Sequence, residues 1–377
     1  MSPRTRNLAA VAPLALDRLG PADELPVRGE LPDELRGCFL QSGPRPPAGE
    51  VITGVRIGDG VARWYRTQDP EGCLPAGPVP ALAPRVRPAA SGTKLLAHPV
   101  QDPTTREWHT IATTPGSTEA EHLVMATSGA VSRGRSFALG APTLVTTLAL
   151  TRDHVVVFDL SLVHDHAAEL RGLRHAHTWR ADKPARLGLL PRTPGSGELR
   201  WFPVRPGATF RALNAFQDGG TVVVDALRHD GPLDAEQAPR PYLGRWTLDL
   251  GTGAVTERRV IAAVDSATTD PAACGREHRH VFGTTGRLLF HHDLHTSTSD
   301  AYDLGAGRRG GQPVFVGGTT GEWLLVFAEN LGRRGSEVLV FDARRLGAGP
   351  CASVLLPGAV PAADRATWQP FAEHGPL

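Results

Sequence analysis

The chain has 377 residues, of which 41% are hydrophobic, and its formal net charge at pH 7 is +1. This composition is typical of one large soluble domain with a substantial core and excludes a disordered chain, while length alone leaves one or two domains open. Basic and acidic residues number 40 and 39, and no run of like charge occurs, so we expect neither nucleic acid nor an anionic membrane as a partner. Only two basic residues are lysines, Lys94 and Lys183, a bias typical of a GC-rich, bacterial genome.

The N-terminal segment resembles a signal peptide only in part. Its mildly apolar stretch Leu8–Leu16 follows two arginines, but Pro13 interrupts it, Asp17 ends it, and no cleavage site follows. No segment reaches the roughly 18 apolar residues of a membrane span. The four cysteines form no Cys-x-x-Cys pair and indicate neither a zinc ribbon nor a redox dithiol. We expect a cytoplasmic protein without a transmembrane segment, with an extension over residues 1–24 and one domain over 25–377.

Short β-branched runs alternate with turns along the whole chain, which contains 42 glycines and 33 prolines. Such runs are predicted as strands at Val155–Phe158, Thr221–Val224, Leu288–Phe290, Trp323–Phe327 and Glu337–Phe341. Helical periodicity is weak. Many brief strands separated by turns predict a propeller or a sandwich, and the length of the chain favours the propeller. The Pro/Ala-rich stretch Pro75–Pro88 is predicted as a surface loop.

Several motifs occur in the order that is typical of one enzyme family. The N-terminal part carries Val27–Pro32, Ser42–Pro46 and the turn Gly58–Gly60. The middle and C-terminal parts carry Arg186–Gly188, Arg200–Phe202, Asn214–Phe216, Gln312–Val316 and Phe341–Arg344. Together these landmarks, spread over residues 25–370, resemble the signature of the carotenoid cleavage oxygenases.

The resemblance implies an all-β fold: a seven-bladed β-propeller of carotenoid-oxygenase type with a dome of loops and helices over one face. In the family an apolar tunnel leads to a ferrous iron held by four histidines, three of them oriented by second-shell glutamates. Members cleave alkenes of carotenoids, apocarotenoids or stilbenes with dioxygen. Only 37 residues separate Gly60 from His98, fewer than one blade of about 40 residues requires, so we expect a trimmed or irregular propeller.

The four ligand positions of the family are occupied unequally here. Ala97-His98-Pro99 matches the motif of the first ligand, which places His98 at that position. At the other three positions stand Thr146, Arg211 and Arg365. Iron needs neutral imidazoles, whereas guanidiniums are permanently cationic and carry no acceptor lone pair. We therefore expect that iron is not bound and that the protein uses no cofactor.

Positions behind the ligands have changed as well. Asp265 and Gln312 stand where the family has second-shell glutamates. Histidines two residues apart on a strand share a face, so such pairs could chelate a metal at a rebuilt site. The pairs and groups of this kind are His164 with His166, His175 with His177, and the late cluster His278, His280, His291, His292 and His295.

These observations predict an iron-independent enzyme that acts on an apolar polyene, isoprenoid or polyketide-like small molecule. Polar groups at the former metal site would supply acid/base or electrostatic chemistry, so we expect a cyclase or isomerase of specialised metabolism rather than an oxygenase. The candidate catalytic residues are His98, Thr146, Arg211 and Arg365, supported by Asp265 and Gln312. His98 has a second interpretation as a packed core histidine, and the two arginines have one as paired structural charges.

Two other classes of function stay open. A non-catalytic propeller could sequester an isoprenoid or serve as a scaffold, and a true iron(II) dioxygenase could hold its metal with rearranged histidines. Three polar replacements at three ligand positions favour a retained polar site over a binder. The sequence does not define the substrate, the reaction or the oligomeric state.

Overall fold

The computed structural model describes residues 24–44, 50–67, 86–89, 92–126, 130–171, 176–193, 195–232, 239–332, 335–356, 358, 360, 363 and 365–371. Nearly all of the regular structure in these ranges is β-strand. No helix among the described residues is long and apolar enough to cross a membrane.

The strands before the one α-helix of the described residues are β1 (Val27–Gly29), β2 (Gly37–Pro44), β3 (Glu50–Gly58), β4 (Val61–Thr67), β5 (Val86–Ala89), β6 (Gly92–Leu96), β7 (Val100–Gln101), β8 (Trp108–Thr113), β9 (Glu119–Met125), β10 (Val131–Ala138), β11 (Leu148–Leu150), β12 (His154–Asp159) and β13 (Leu162–His164). Helix α1 spans His166–Leu170, and Asp165 caps it by accepting a hydrogen bond from the backbone N–H of Ala168.

The strands after the helix are β14 (His177–Trp179), β15 (Ala185–Pro191), β16 (Arg200–Val204), β17 (Ala208–Asp218), β18 (Thr221–His229), β19 (Tyr242–Asp249), β20 (Val255–Ile261), β21 (Ser266–Thr268), β22 (His280–Thr285), β23 (Leu288–Asp293), β24 (Thr298–Asp303), β25 (Arg308–Gly310), β26 (Val314–Gly317), β27 (Glu322–Asn330), β28 (Ser336–Asp342), β29 (Ala352–Leu356) and β30 (Arg365–Pro370). Short 3-10 helices span Pro271–Ala273 and Leu346–Ala348.

The chain divides into two compact units, and the first comprises Met1–Gln68, Gly286–His291 and Asp300–Leu377. One of its sheets has the strand order β1-β29-β28-β27-β25, with β26 also paired to β27, and another has the order β30-β2-β3-β4. Both sheets therefore combine strands from the N- and C-terminal parts of the chain. In the second sheet, Arg365 of β30 lies opposite Ser42 of β2.

The second unit comprises Asp69–Thr285 and His292–Ser299. Its larger sheets have the orders β10-β9-β8-β6-β5, with β7 paired to β8, then β11-β12-β15-β16 and β17-β18-β19-β20. In addition, β13 pairs with β14 and β21 pairs with β22. Four-stranded antiparallel sheets that follow one another along the chain are the building unit of propellers. Strand β17 carries Arg211, and Thr146 lies just before β11.

Each unit is stabilised by its own apolar core. In the first unit Phe39 stacks on Phe327 with ring centroids 4.7 Å apart, and Trp64 is fully buried beside them. In the second unit Phe158 meets the edge of Trp246 with centroids 6.2 Å apart. Burying one such side chain stabilises the fold by roughly 1.5–3 kcal/mol.

The five predicted strands are confirmed, each as part of a longer strand: they are β12, β18, β23, β27 and β28. The turn Gly58–Gly60 is confirmed as the two-residue hairpin between β3 and β4. Both central residues, Asp59 and Gly60, have positive φ angles of 53° and 73°, the conformation that a tight hairpin with the strand twist requires.

The predicted loop Pro75–Pro88 is wrong at its C-terminal end. Residues 75–85 lie outside the described residues, but Val86–Ala89 forms β5 and pairs with β6. Strand β5 is the edge of its sheet, where a proline without an N–H, such as Pro88, can be accommodated. The number of blades and the single domain over 25–377 stay predictions.

Candidate functional site

Thr146 joins two segments that carry predicted site residues. Its carbonyl accepts a hydrogen bond from the backbone N–H of His98 at 2.8 Å. Its hydroxyl donates to the carbonyl of Thr209 at 2.6 Å, and the Thr146 side chain is buried. The hydroxyl of Thr110 donates to the carbonyl of Ala97 at 2.7 Å and fixes the same turn from the other side. The position of His98 is therefore set by buried backbone contacts.

Arg211 lies in an irregular part of β17. The register between β17 and β18 shifts between Thr209 and Arg211 and again between Ala212 and Asn214. Such bulges bend a strand and re-aim its side chains, and they are frequent beside active sites. The four residues Phe210–Leu213 are all half-buried, whereas the residues that flank them are buried. This stretch of β17 therefore borders less tightly packed space.

In the first unit, Arg365 and Gln312 are neighbours. Arg365 is 3% exposed, and its guanidinium donates to the hydroxyl of Ser42 at 3.3 Å. Gln312, also buried, accepts a hydrogen bond through Oε1 from the backbone N–H of Ala366 at 2.9 Å, and its own N–H donates to the carbonyl of Ala363 at 3.1 Å. Gln312 thus holds the backbone of β30 around Arg365.

Asp265 lies in a different setting from the one expected of a residue that orients a ligand. Its carboxylate accepts hydrogen bonds of 2.6 and 2.8 Å from the Arg240 guanidinium. Both side chains of this ion pair are exposed, at 41% and 52%. The structure therefore links His98, Thr146 and Arg211 within one unit and places Asp265 at an exposed ion pair of that unit.

A buried polar network in the second unit was not predicted from the sequence. Asp225 is fully buried and binds the Arg245 guanidinium through two hydrogen bonds of 2.7 and 2.6 Å. Nε2 of His278 lies 3.3 Å from the same carboxylate, and Nδ1 of His278 lies 3.1 Å from the side-chain nitrogen of Asn214. Asp225 ends a β-branched run and Asn214 lies in a family motif, but neither signal indicates this contact.

The pKa of His278 is lowered by burial, with the Arg245 charge acting in the same direction and Asp225 opposing it. Burial also lowers the pKa of His154, His229 and His292. Each of these imidazoles therefore stays neutral in the folded protein at a pH where the unfolded chain already binds a proton.

We expect the protein to lose stability as the pH falls below about 6.5, the ordinary pKa of histidine. The contribution of His278 is complete above that pH and is lost as the pH falls toward its lower folded pKa, since the unfolded state then binds more protons. Urea unfolding at about pH 7.5 and about pH 5.5 measures this loss. His278→Gln should reduce the loss, and His166→Gln, at an exposed residue, should not. Equal pH dependence in the wild type and His278→Gln would contradict the assignment.

The histidine pairs proposed from spacing are arranged differently in space. His164 pairs across strands β13 and β14 with His177, and the ring centroids are 5.5 Å apart. Glu169 lies 3.4 Å from His164 and 3.3 Å from His166. Across the described residues, which leave out His175, no group of three or more histidine, cysteine, aspartate or glutamate side chains is arranged to hold a metal ion.

The residues at the four ligand positions can be tested against the iron centre that the resemblance implies. The hydroxyl hydrogen of Thr146 is donated to a backbone carbonyl, and Arg365 offers only donors. Oε1 of Gln312 accepts from a backbone N–H and so does not orient an imidazole. One imidazole, that of His98, remains. These residues therefore do not fit a four-histidine iron centre.

Solved structures of other proteins share this fold. The lignostilbene dioxygenase of Pseudomonas brassicacearum matches with a TM-score of 0.78 at 19% sequence identity, covering 92% of this chain and 95% of that one. The cobalt-substituted ACO of Synechocystis matches with a TM-score of 0.75 at 18% identity, covering 93% and 96%. The all-β fold of carotenoid-oxygenase propeller type is therefore confirmed.

The expectation that the protein has no cofactor is wrong. One structural neighbour is a cobalt-substituted protein, and the family is one of iron(II)-dependent oxygenases. The expectation rested on the chemistry of four side chains. That chemistry describes those four positions and does not decide what the fold as a whole binds.

The carotenoid cleavage oxygenase of Mycobacterium tuberculosis is 24% identical over an alignment of 475 positions, which covers 93% of this chain and 94% of the relative. The model of the retinal pigment epithelial membrane protein family matches residues 77–370, well over half of the chain. With this match and the shared fold, the chain belongs to the retinal pigment epithelial membrane protein family, the carotenoid-oxygenase family that its motifs resemble.

Proposed function

We propose that the protein is an enzyme that rearranges an apolar polyene, isoprenoid or polyketide-like small molecule, by isomerisation or cyclisation, in specialised metabolism. The observation that carries the proposal is the polar set His98 and Arg211, on two segments that Thr146 joins by hydrogen bonds. The relative from M. tuberculosis is named as a carotenoid cleavage oxygenase, which supports an apolar polyene as the substrate.

Isomerisation of an alkene conjugated to a carbonyl group moves a proton from one carbon to another and leaves the atoms of the substrate unchanged. The His98 imidazole accepts the proton from the first carbon and returns it to the second. The Arg211 guanidinium donates hydrogen bonds to the carbonyl oxygen and stabilises the enolate that forms between the two transfers. The hydroxyl hydrogen of Thr146 is already donated to the carbonyl of Thr209. Thr146 therefore holds the two segments in place and transfers no proton.

The other candidate residues have different parts in this proposal. Arg365 is a buried cation on strand β30 of the first unit, and Gln312 is its positioning residue because Gln312 binds the backbone next to it. Asp265 is left out of the proposed chemistry, since its carboxylate is paired with Arg240 at the surface.

Product analysis tests the proposal directly. The protein is incubated with β-carotene, an apocarotenal and a hydroxystilbene. The products are separated by chromatography, and their masses are measured by mass spectrometry. We expect the apocarotenal, whose alkene is conjugated to a carbonyl group, to give a product with the mass of its substrate. Arg211→Ala and His98→Gln should each lower kcat/KM by about 100-fold, the typical effect of losing an electrostatic or acid/base group. Arg258→Ala, at an exposed residue of β20, is the matched control and should retain activity.

A second candidate is oxidative cleavage of the alkene, which the names of the relatives favour. In that case the products are two shorter carbonyl compounds that carry ¹⁸O when the reaction is run under ¹⁸O₂. The metal content of the same sample is measured by elemental analysis with inductively coupled plasma mass spectrometry. Labelled cleavage products together with stoichiometric iron would refute the rearrangement. Saturable binding of the polyene without any product would instead identify a binding protein.

A further inference from the structure

A cavity with a volume of about 780 Å³ lies in the second unit. It is at the far end of β11 and β17 from the candidate site. On β11, Thr146 lies before the strand, whereas Thr151 lies just beyond it and lines the cavity. On β17, Arg211 lies near the start of the strand, whereas Gln217 lies near its end and lines the cavity. Six residues of extended strand span roughly 15–20 Å, so the cavity is separate from the candidate site.

The wall of this cavity is fixed by a buried ion pair. Asp102 is 5% exposed and accepts hydrogen bonds from the Arg192 guanidinium and from the backbone N–H of Thr104, the latter at 2.7 Å. The Arg192 guanidinium also donates to the carbonyl of Thr151 at 3.0 Å. Burial raises the pKa of Asp102, but its contact with Arg192 outweighs this effect and leaves that pKa below its ordinary value.

Another part of the lining belongs to the loop 273–277, which Asn214 holds in place. The side-chain nitrogen of Asn214 donates to the carbonyls of Ala273 and Arg276 at 3.1 and 2.8 Å. Its side-chain oxygen accepts from the N–H of Gly275 at 3.1 Å. Gly275 has a φ of 81°, which glycine adopts without strain, and it forms a bridge with Thr151. The cavity is therefore formed before any ligand arrives.

Three arginines line the cavity around the backbone of residues 151 and 152: they are Arg152, Arg192 and Arg276. Two of them have aspartate partners, because Arg152 pairs with Asp153 and Arg192 pairs with Asp102. The charges of these two arginines are balanced within the protein.

Arg276 differs from the other two. Its guanidinium donates to the carbonyl of Ala272 at 2.6 Å, and no carboxylate of the described residues is paired with it. The neighbouring carboxylate of Glu277 lies 3.2 Å from Nε2 of His295 instead. Arg276 therefore lines the cavity with a guanidinium that no carboxylate of the described residues pairs with, although the carboxylates of Glu107 and Glu277 line the same cavity.

We propose that this cavity binds a small hydrophilic organic anion whose carboxylate or phosphate group is held by Arg276. A guanidinium forms paired, charge-assisted hydrogen bonds with either group. The volume lies in the usual range for small-molecule sites. Hydroxyl substituents of such a ligand would form hydrogen bonds with polar side chains of the lining, which are Thr104, Thr105, Glu107, Thr193 and Gln217. The site goes beyond the proposed rearrangement and does not depend on it.

Titration calorimetry with inorganic phosphate, citrate and glucose tests the proposal on the full-length protein. We expect saturable binding of phosphate or citrate and none of glucose, and the better of the two anions identifies the group that the site prefers. Arg276→Gln should weaken that binding about tenfold, the effect of losing one charge-assisted interaction. Added salt should weaken it as well.

Two matched variants test whether Arg276 itself holds the anion. Arg258→Gln removes an exposed arginine of β20 and should leave the affinity unchanged, and His98→Ala should do the same because the candidate site lies elsewhere. Failure of both anions to bind the wild-type protein would overturn the proposal. Equal weakening by Arg276→Gln and Arg258→Gln would do so too, since it would indicate non-specific attraction. Neither result would bear on the proposed rearrangement.

Discussion

Replacing Lys183 by methionine is expected to lower the free energy of unfolding by about 3–5 kcal/mol, the cost of removing one partner of a buried ion pair. The Lys183 side chain is 8% exposed and that of Asp159 is fully buried. Nζ of Lys183 donates to Oδ1 of Asp159 at 2.5 Å and to the carbonyls of Asp159 and Leu160 at 3.1 and 2.8 Å. Methionine keeps most of the apolar stem and removes all three donors.

Asp159 is the centre of a wider network. Its carboxylate also accepts from Nε of Arg186 at 2.8 Å, from the hydroxyl of Thr143 at 2.7 Å and from the N–H of Gly140 at 2.8 Å. Burial raises the pKa of Asp159, but the charge and hydrogen bond of Lys183 outweigh it, so that pKa is lowered. Without Lys183 the same carboxylate stays buried with one partly exposed cation, which is why the expected cost is large.

The other lysine of the chain supplies the control. Lys94 pairs with Glu121 at 2.9 Å, but both side chains are about 30% exposed, so Lys94→Met should cost no more than about 1 kcal/mol. Urea unfolding at neutral pH measures both variants. A loss in Lys183→Met no larger than that in Lys94→Met would show that the Asp159 network does not anchor the fold.

Much of the fold could be predicted from the sequence, because the local pattern of residues is enough to predict most strands. β-branched runs such as Val222–Val224 are buried on both sides of a sheet, and the local sequence alone is enough to recognise them. The edge strand β5 escapes prediction because proline and alanine are poor strand formers, and only its pairing with β6 reveals it. Motifs in a fixed order indicate the family, which the match over residues 77–370 confirms.

The site is harder to predict, because its chemistry depends on contacts between distant segments. In the sequence Lys183 stands out only as one of two lysines, and its burial against Asp159 follows from folding alone. Asp265 is assigned to the site because it stands at a position where the family has a glutamate, but its contact with Arg240 is a surface feature. The cofactor expectation is wrong because residue chemistry at a few positions does not describe a family.

Asp225→Ala is expected to destabilise the protein by about 3–5 kcal/mol as well, and to loosen a specific loop. The carboxylate of Asp225 is the partner of Arg245, whose side chain is 15% exposed, and it lies 3.3 Å from His278. His278 in turn contacts Asn214, which binds the loop 273–277. Removing the carboxylate leaves a guanidinium with little access to water, and it frees the imidazole that packs beside Asn214.

Urea unfolding and hydrogen exchange of residues 273–278 measure these two effects of Asp225→Ala. We expect a lower midpoint together with faster exchange in this segment, because Asn214 then holds the loop less firmly. Asp182→Ala, which removes an exposed partner of Arg180, should change neither. Since the same loop carries Arg276, anion binding at the cavity that Arg276 lines should weaken in Asp225→Ala although Arg276 is still present. Slow exchange in the loop of a destabilised Asp225→Ala would instead mean that Asp225 supports only the sheet β17–β20.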